Sequence, residues 1–281
     1  MVSIITAIYN QLDMNRLFWK YLQKYTDNKF ELIIIDNGST DGSREFFQSL
    51  AANEANQVKV IANDANYSYP YCQNQGIEVA QYDMLAFLNN DILVAPHWDS
   101  RMLQILGRDN RDILSMASND RLSNKKSTKH LSRRWKYIKY PIIYLFGQKK
   151  FALKLMAFLC YGNWEKYTEN IFSKYGFSFT PGFSGSAIIM NRRGLSKVGK
   201  WDLSQQGADY DIFFRTYKRS EEVGDIMPLS IVNGIFHHHY RRLTLYSKFP
   251  PFADKHNLIS FEQKWDKTYL DKWMGIMKFK Y

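Results

Sequence analysis

Two periods of apolar positions alternate along the first 95 residues. The runs VSIITAI, FELIIID, VKVIA and DMLAFLN are short, β-branched and apolar at nearly every position, as strands are when both of their faces are covered. Between them, LDMNRLFWKYLQKY spaces Leu12, Leu17, Phe18, Tyr21, Leu22 and Tyr25 along one helical face. STDGSREFFQSL sets Ser, Thr and Asp where a helix N-cap belongs and follows them with Phe46, Phe47 and Leu50; YPYCQNQGIEVAQ reads as a third helix. This alternation predicts an α/β fold with a mostly parallel sheet flanked by helices. In such sheets ligands bind in the crevice beyond the carboxyl ends of the strands.

Three of the four strands end in polar residues on that side: Tyr9 and Asn10, Asp36 and Asn37, and Asp91. The last case is the most unusual. In LAFLNNDILVAPHW an apolar run breaks for Asn89, Asn90 and Asp91 and then resumes. Each of these groups needs a partner or water, because a buried unpaired polar group costs about 1–3 kcal/mol. Two readings are open, a strand-to-helix turn, which Asn and Asp suit, and a metal site at a strand end.

The pattern changes over residues 121–178. The front of this segment is basic and polar, and its back, YIKYPIIYLFGQKKFALKLMAFLCYGNW, mixes aromatic residues and Lys with apolar ones. Pro141 and Gly147 are expected to separate two segments too short to span a membrane. Compact patterning resumes at GFSFTPGFSGSAIIMNRRGLSKVGKWD. GADYDIFFRTYKR then reads as a capped helix and IVNGIFHHHYRRLT as a strand running into a loop. At the C-terminal end Phe261, Trp265, Leu270, Trp273 and Met277 fall roughly on one helical face.

Charge alters this picture in one place. The net charge of the 281 residues is +11, and from Arg121 to Trp164 there are eleven Lys and Arg and no Asp or Glu. The remainder is therefore balanced, and something anionic is expected to approach this one segment. Trp135, Tyr137, Tyr140, Tyr144 and Phe146 lie among the cations. That mixture suits a membrane interface, an anionic glycan or single-stranded nucleic acid. Cys72 and Cys160 form neither a metal spacing nor a disulfide framework, so a reducing compartment is expected. The N-terminus shows no basic leader or cleavage signature, and a cytoplasmic location is expected, peripheral at the inner membrane face if the basic segment meets lipid.

The pieces VSIITAIYN, ELIIIDNGSTDGS, NQGIEVAQYDMLAFLNNDILV, GFSGSAIIM and GADYDIFFR, in this order, resemble the large second family of inverting glycosyltransferases, which have the Rossmann-like GT-A fold. The resemblance covers about residues 1–120 and 179–245, and IDNGSTDGS is its most telling piece. It implies four parts: 1–120 binding a nucleotide sugar, a basic aromatic insertion over 121–178, an acceptor and catalytic part over 179–245, and a helical tail over 246–281. Thr6, Ala7, Tyr9 and Asp36 match nucleoside-binding positions, although Asp36 could instead cap the turn before Gly38. Asn90 and Asp91 match the end of an Asp-x-Asp element. Its last carboxylate, with His239 from the late loop, would hold a divalent cation, Mn²⁺ or Mg²⁺, against the diphosphate of a UDP- or dTDP-sugar. Asn89 departs from the family pattern and leaves one fewer charge there.

Ala208 and Asp209 stand where the family has a Glu-Asp pair, which implies Asp209 as general base; bare sequence allows Asp209 or Asp211 to be helix caps, and Asp211 reads as the more structural of the two. Gly182 and Gly185, in a Gly-rich turn, together with Trp201 and Asp211, are the expected acceptor side. HHHYRRLT invites a zinc reading, but on a strand His237 and His239 share one face while His238 takes the other, and no third ligand is evident. Arg241 and Arg242 could assist the phosphates. The expected acceptor is a glycan or lipid-linked molecule, as in polysaccharide biosynthesis, and nucleic acid is not an expected partner. Two other readings are a nucleotidyltransferase, against which the lack of a Gly-rich, Lys-containing phosphate loop counts, and a GT-A-like binding module without catalysis.

Overall fold

The computed structural model describes residues 1–53, 57–241, 243 and 250–277. The first half follows the predicted alternation: β1 (Val2–Ile8), α1 (Leu12–Tyr25), β2 (Phe30–Asp36), α2 (Ser43–Asn53), β3 (Val58–Ala62), α3 (Tyr69–Val79) and β4 (Met84–Leu88). Next come β5 (Ile92–Val94), α4 (Trp98–Leu103) and β6 (Ile113–Ser118), then α5 (Lys125–Phe146), α6 (Lys150–Tyr161) and α7 (Trp164–Tyr175). The rest comprises β7 (Phe179–Pro181), β8 (Ala187–Asn191), α8 (Arg192–Val198), α9 (Ala208–Glu222), β9 (Ser230–His239), α10 (Phe261–Lys264) and α11 (Lys267–Met277).

The strands form a single sheet in the order β3-β2-β1-β4-β8-β6-β9-β5, with β7 against β9. Strands β3, β2, β1 and β4 are mutually parallel, as the continuous apolar runs require; β2 is buried along its whole length. α3 lies directly on β1: a Cβ on Gly76 would sit 2.2 Å from Cγ2 of Ile5, so only glycine allows this approach.

Beyond β4 the sheet becomes mixed, and this is what assembles the site. β8 runs antiparallel to β4 with Leu88 opposite Ala187, and Asn89 donates its N–H to the Ser186 carbonyl at 3.0 Å. The Gly-rich turn therefore meets the NND turn. On the far edge β5 pairs antiparallel with β9, Ile92 opposite His239, and the Tyr240 N–H bonds the Asp91 carbonyl at 2.8 Å.

The basic segment corrects one expectation. Pro141 does not end a helix; it sits on the exposed side of α5, which continues to Phe146, and Gly147 alone makes the break. The segment also contributes to the main core. The inner faces of α5 and α6 (Leu131, Trp135, Ile142, Leu153, Met156 and Cys160) join the same core as α1, β5 and β9. Asp13 of α1 accepts from the Lys150 N–H at the start of α6 at 3.0 Å, satisfying one of that helix's open donors.

The C-terminal aromatic stripe is likewise two helices. Asp266 accepts from the Thr268 N–H at 2.7 Å and starts α11, while a capping box of Ser260 and Gln263 starts α10. Trp273 is fully buried, its ring 5.7 Å from that of Phe214 on α9, so the tail docks on its own domain. The side chain of Met277 and residues Arg242 and Thr244–Phe249 lie outside what is described.

Candidate active site

Two adjoining cavities open at the carboxyl ends of β1, β2 and β4 and share Tyr69 and Asn89 as lining. The first, about 360 Å³, is walled by Ala7, Tyr9, Tyr67 and Phe252 with Asn37 and Asn66, and reaches Asn90 and Asp91. The second, about 440 Å³, is bounded by Asp120, Gly185, Ser186, Asp209, His239 and Arg241. Tyr9 enters the first cavity from a tight loop in which Asn10 and Gln11 both take left-handed φ angles, 57° and 71°. Asn10 is held by Ser39 Oγ on its N–H (2.8 Å) and by the Thr40 N–H on its side-chain oxygen (2.8 Å).

The first cavity is rigid through amide bonding. The Asn37 side chain donates to the Tyr67 carbonyl at 3.0 Å and accepts from Asn63 at 2.9 Å; that of Asn66 donates to the Pro250 carbonyl at 2.8 Å. Asp36 lies elsewhere than expected. Its carboxylate is fully buried, ion-paired to Arg44 Nε at 2.5 Å and capped by the Ser39 N–H at 3.2 Å, and it is not among the lining residues. Thr6 is buried beneath the cavity and does not line it either. Asn37, the other polar residue at this strand end, lines the cavity instead.

The NND turn divides three ways. Asn89 is the shared wall. Asn90 donates to Asn15 Oδ1 of α1 at 2.7 Å, so its role here is to fix the turn. Asp91 is buried, with Oδ2 3.3 Å from His239 Nε2 and Oδ1 without a hydrogen-bond partner among the described residues. His239 Nδ1 is 2.6 Å from Asp120 Oδ2, and Arg241 approaches the other Asp120 oxygen at 3.3 Å. Burial pushes the His239 imidazole down, but the carboxylates of Asp91 and Asp120 outweigh it and hold it up at about 10.

A divalent cation fits this pair. Asp91 Oδ1 is open, and His239 Nε2, which is protonated and paired with Asp91 Oδ2 here, would become a ligand when a cation replaced its proton; the second ring nitrogen is oriented by a carboxylate, as in metal-ligating histidines generally. Among the described residues no third His, Cys, Asp or Glu completes a cage. Two protein donors are what Mg²⁺ or Mn²⁺ needs when phosphate oxygens and water supply the rest. The other two histidines are occupied away from it: His237 Nε2 bonds Ser186 Oγ and His238 Nδ1 bonds the Tyr161 hydroxyl, each at 2.7 Å. Burial lowers both, His237 to about 3, so both are neutral.

Asp209 faces the second cavity from the first turn of α9. Gly207 is the N-cap and no side chain caps the helix, so neither Asp209 nor Asp211 serves as a cap. Oδ1 of Asp209 is shielded from solvent and has no partner among the described residues, and burial pushes the carboxyl up to about 7. Gly185 makes room for it: a Cβ there would lie 2.0 Å from Asp209 Oδ2. The Tyr69 hydroxyl is also buried and unpartnered among the described residues, and burial followed by the Asp209 charge raises it well above the usual tyrosine range.

The expected acceptor side needs correction. Asp211 points away from both cavities, bound to Arg215 Nε at 2.8 Å, Lys264 Nζ at 2.5 Å and Trp265 Nε1 at 3.0 Å; it ties the tail to α9. Trp201 is core, its ring edge-on to Tyr69 at 5.2 Å and Phe87 at 5.1 Å, because an indole beside a buried strand gains more from packing than from water. Gly182 is buried behind the turn, outside the lining of either cavity. Sequence reasoning missed Asp120, Tyr69 and Asn66, and noted Asn37 only as a polar strand end. Asp120 had a signal: β6 ends in the polar Asn119 and Asp120, as the other strands end in polar groups.

The family model described as Glycosyl transferase family 2 matches residues 3–175, extending through the basic insertion that the motif pieces left uncovered. EpsH of Bacillus subtilis, which carries a glycosyltransferase name, is 31% identical over 113 residues, 40% of this chain and 32% of that protein; the match thus spans about a third of the relative's length. A mannosyltransferase from Pyrobaculum calidifontis, in complex with GDP-Man and Mn²⁺, superposes with a TM-score of 0.56 at 13% identity over 91% of this chain and 68% of that one. GalNAc-T7 with UDP, GalNAc and Mn²⁺ gives 0.57 at 13% identity over 85% and 43%. These likenesses establish a GT-A fold. With a match over well more than half of its length, the chain belongs to glycosyl transferase family 2.

Proposed function

We propose that the protein transfers a hexosyl group from a nucleoside-diphosphate sugar to an acceptor hydroxyl with inversion, and that Asp209 is the general base. The observation that carries this reading is the Asp209 carboxyl, whose Oδ1 has no partner among the described residues, in a cavity that shares its wall with the Asp91–His239 pair. The nucleoside lies against Tyr9, Tyr67 and Phe252 with its polar edges toward Asn37 and Asn66, and the sugar points past Asn89 to the second cavity. The acceptor hydroxyl attacks the anomeric carbon from the Asp209 side. Its O–C bond forms as the bond to the diphosphate breaks, Asp209 takes the proton, and the nucleoside diphosphate leaves with the bonding electron pair. A carboxyl held near 7 suits this step, since a base works best with a pKa close to the operating pH.

Asp91 and His239 would hold a divalent cation, which supplies positive charge beside the diphosphate. Asp120 orients the His239 ring, and Arg241 adds a further positive charge at the cavity mouth. Neighbours crystallised with GDP-Man or UDP and with Mn²⁺ support a donor of this class, with UDP- or dTDP-sugars as the first candidates. Glycan and lipid-linked hydroxyls are the candidate acceptors.

Thermal stability with UDP, dTDP, GDP, CDP and ATP, each with Mn²⁺ or with EDTA, tests the reading. A metal-dependent rise with one diphosphate, lost in Asp91→Asn, identifies the donor class for turnover assays. If none of these nucleotides stabilises the chain, the donor crevice is wrongly assigned and the binding-module reading takes its place. If Asp209→Asn keeps full turnover, Asp209 leaves the mechanism.

A further inference from the structure

The outer surface of α5 and α6 is used by nothing in the site described above. Arg134 Nη2 bonds the Leu159 carbonyl at 2.9 Å and the rings of Phe146 and Phe151 lie 5.3 Å apart, so the two helices run antiparallel with the Gly147 turn as their tip. While their inner faces are core, their outer faces carry large side chains that meet water: Tyr137 and Tyr144 are 81% and 89% exposed, and Leu145 and Phe158 are 66% and 64% exposed. A soluble surface seldom concentrates so many in one place.

Cations flank these rings. Lys136, Lys149 and Lys154 are exposed on the same two helices and the turn between them, and Lys154 is held below the usual lysine range by burial of its stem and by the nearby charges of Lys20 and Lys150. The strip continues into a groove of about 720 Å³ between α5 and α7, lined by Lys126, Lys129, Arg133, Arg134 and Lys174 and by no carboxylate among the described residues. The middle of α5 also borders the acceptor cavity. A smaller cleft of about 140 Å³ is shared by Lys136 and Tyr140 of α5 with Asp120 and Arg241 of the site.

We propose that the α5–α6 pair docks the protein on an anionic lipid bilayer, with the rings among the headgroups, the lysines and arginines on lipid phosphates, and the acceptor cavity facing the surface. Charge complementarity argues for an anionic partner, and the exposed Leu, Phe and Tyr argue for a bilayer rather than a soluble polyanion, which would leave them in water. The attachment is interfacial, for no described helix is long and apolar enough to cross a membrane. It does not depend on the sugar-transfer reading, and it is measured without turnover.

The test is sedimentation of the full chain with vesicles of phosphatidylcholine alone or mixed with phosphatidylglycerol. Binding to the mixed vesicles that weakens with salt is expected. Lys136→Gln/Lys149→Gln/Lys154→Gln should weaken it by roughly a hundredfold, about fivefold per charge. Tyr144→Ser/Phe158→Ser should weaken it by about tenfold with the charge intact. These side chains are exposed, and an unchanged melting temperature verifies that each variant folds. Equal binding to both vesicle types, no binding to either, or full binding by both variants overturns the proposal. Retention on heparin without vesicle binding overturns it too, and assigns the charge to a soluble polyanion.

Discussion

The carboxylates around the site are treated in two opposite ways. Below the first cavity, Asp36 is fully buried but matched by the Arg44 guanidinium and the Ser39 N–H, and the amides around it are bonded to one another. Asp209 in the second, and Asp91 where the first meets the NND turn, each keep an oxygen that is out of water and without a partner among the described residues. The first arrangement makes a fixed shape for a ligand to fit. The second stores unfavourable desolvation that a substrate proton or a cation would relieve, as is common where a group must react. The contrast repeats within a single helix turn: Asp211, two residues beyond Asp209, has three partners and serves packing.

Breaking the reactive side should have the largest effect. Asp209→Asn is expected to lower turnover by about a thousandfold while leaving donor-induced thermal stabilisation unchanged, since a general base typically contributes between about a hundredfold and ten-thousandfold. Gly185→Ala tests the same group through its neighbour. The new methyl must displace the Asp209 carboxylate, and a loss of about ten- to a hundredfold in kcat with the fold retained is expected. A Gly185→Ala enzyme of normal kcat would show that this carboxylate need not sit against the turn.

On the fixed side the readout is stability. Arg44→Ala leaves the Asp36 charge buried, and denaturant unfolding should show a loss of about 2–4 kcal/mol, short of the full cost of a broken buried pair because Arg44 is partly exposed. A second stability readout sharpens the comparison through pH. The Asp209 carboxyl is raised from 3.8 to about 7 in the folded protein, so between these values the native state binds more protons than the unfolded one. Its contribution is therefore present at low pH and lost as pH rises toward 7, by at most about 4 kcal/mol. Asp209→Asn removes this slope, so its stability relative to the parent should improve from pH 4 to pH 7 and then level off. The same titration predicts kcat/KM rising with pH to a plateau above about 7.

The sequence by itself determined the strand and helix alternation, the polar strand ends and the isolated basic segment. Periodicity, turn chemistry and charge are local properties and survive without a fold. It also marked Asp91, Asp209 and His239 through pieces that resemble a family. Only the tertiary structure decided what each polar group faces. Asp91 and His239 meet because β5 pairs antiparallel with β9, a contact between segments about 150 residues apart that no spacing reveals. Asp36 is spent on Arg44 because α2 turns back over the strand end. Trp201, Asp211 and the inner face of α5–α6 became core for the same reason: burial is a property of what the rest of the chain brings alongside, and identical side chains are structural or reactive according to whether that neighbour supplies a partner.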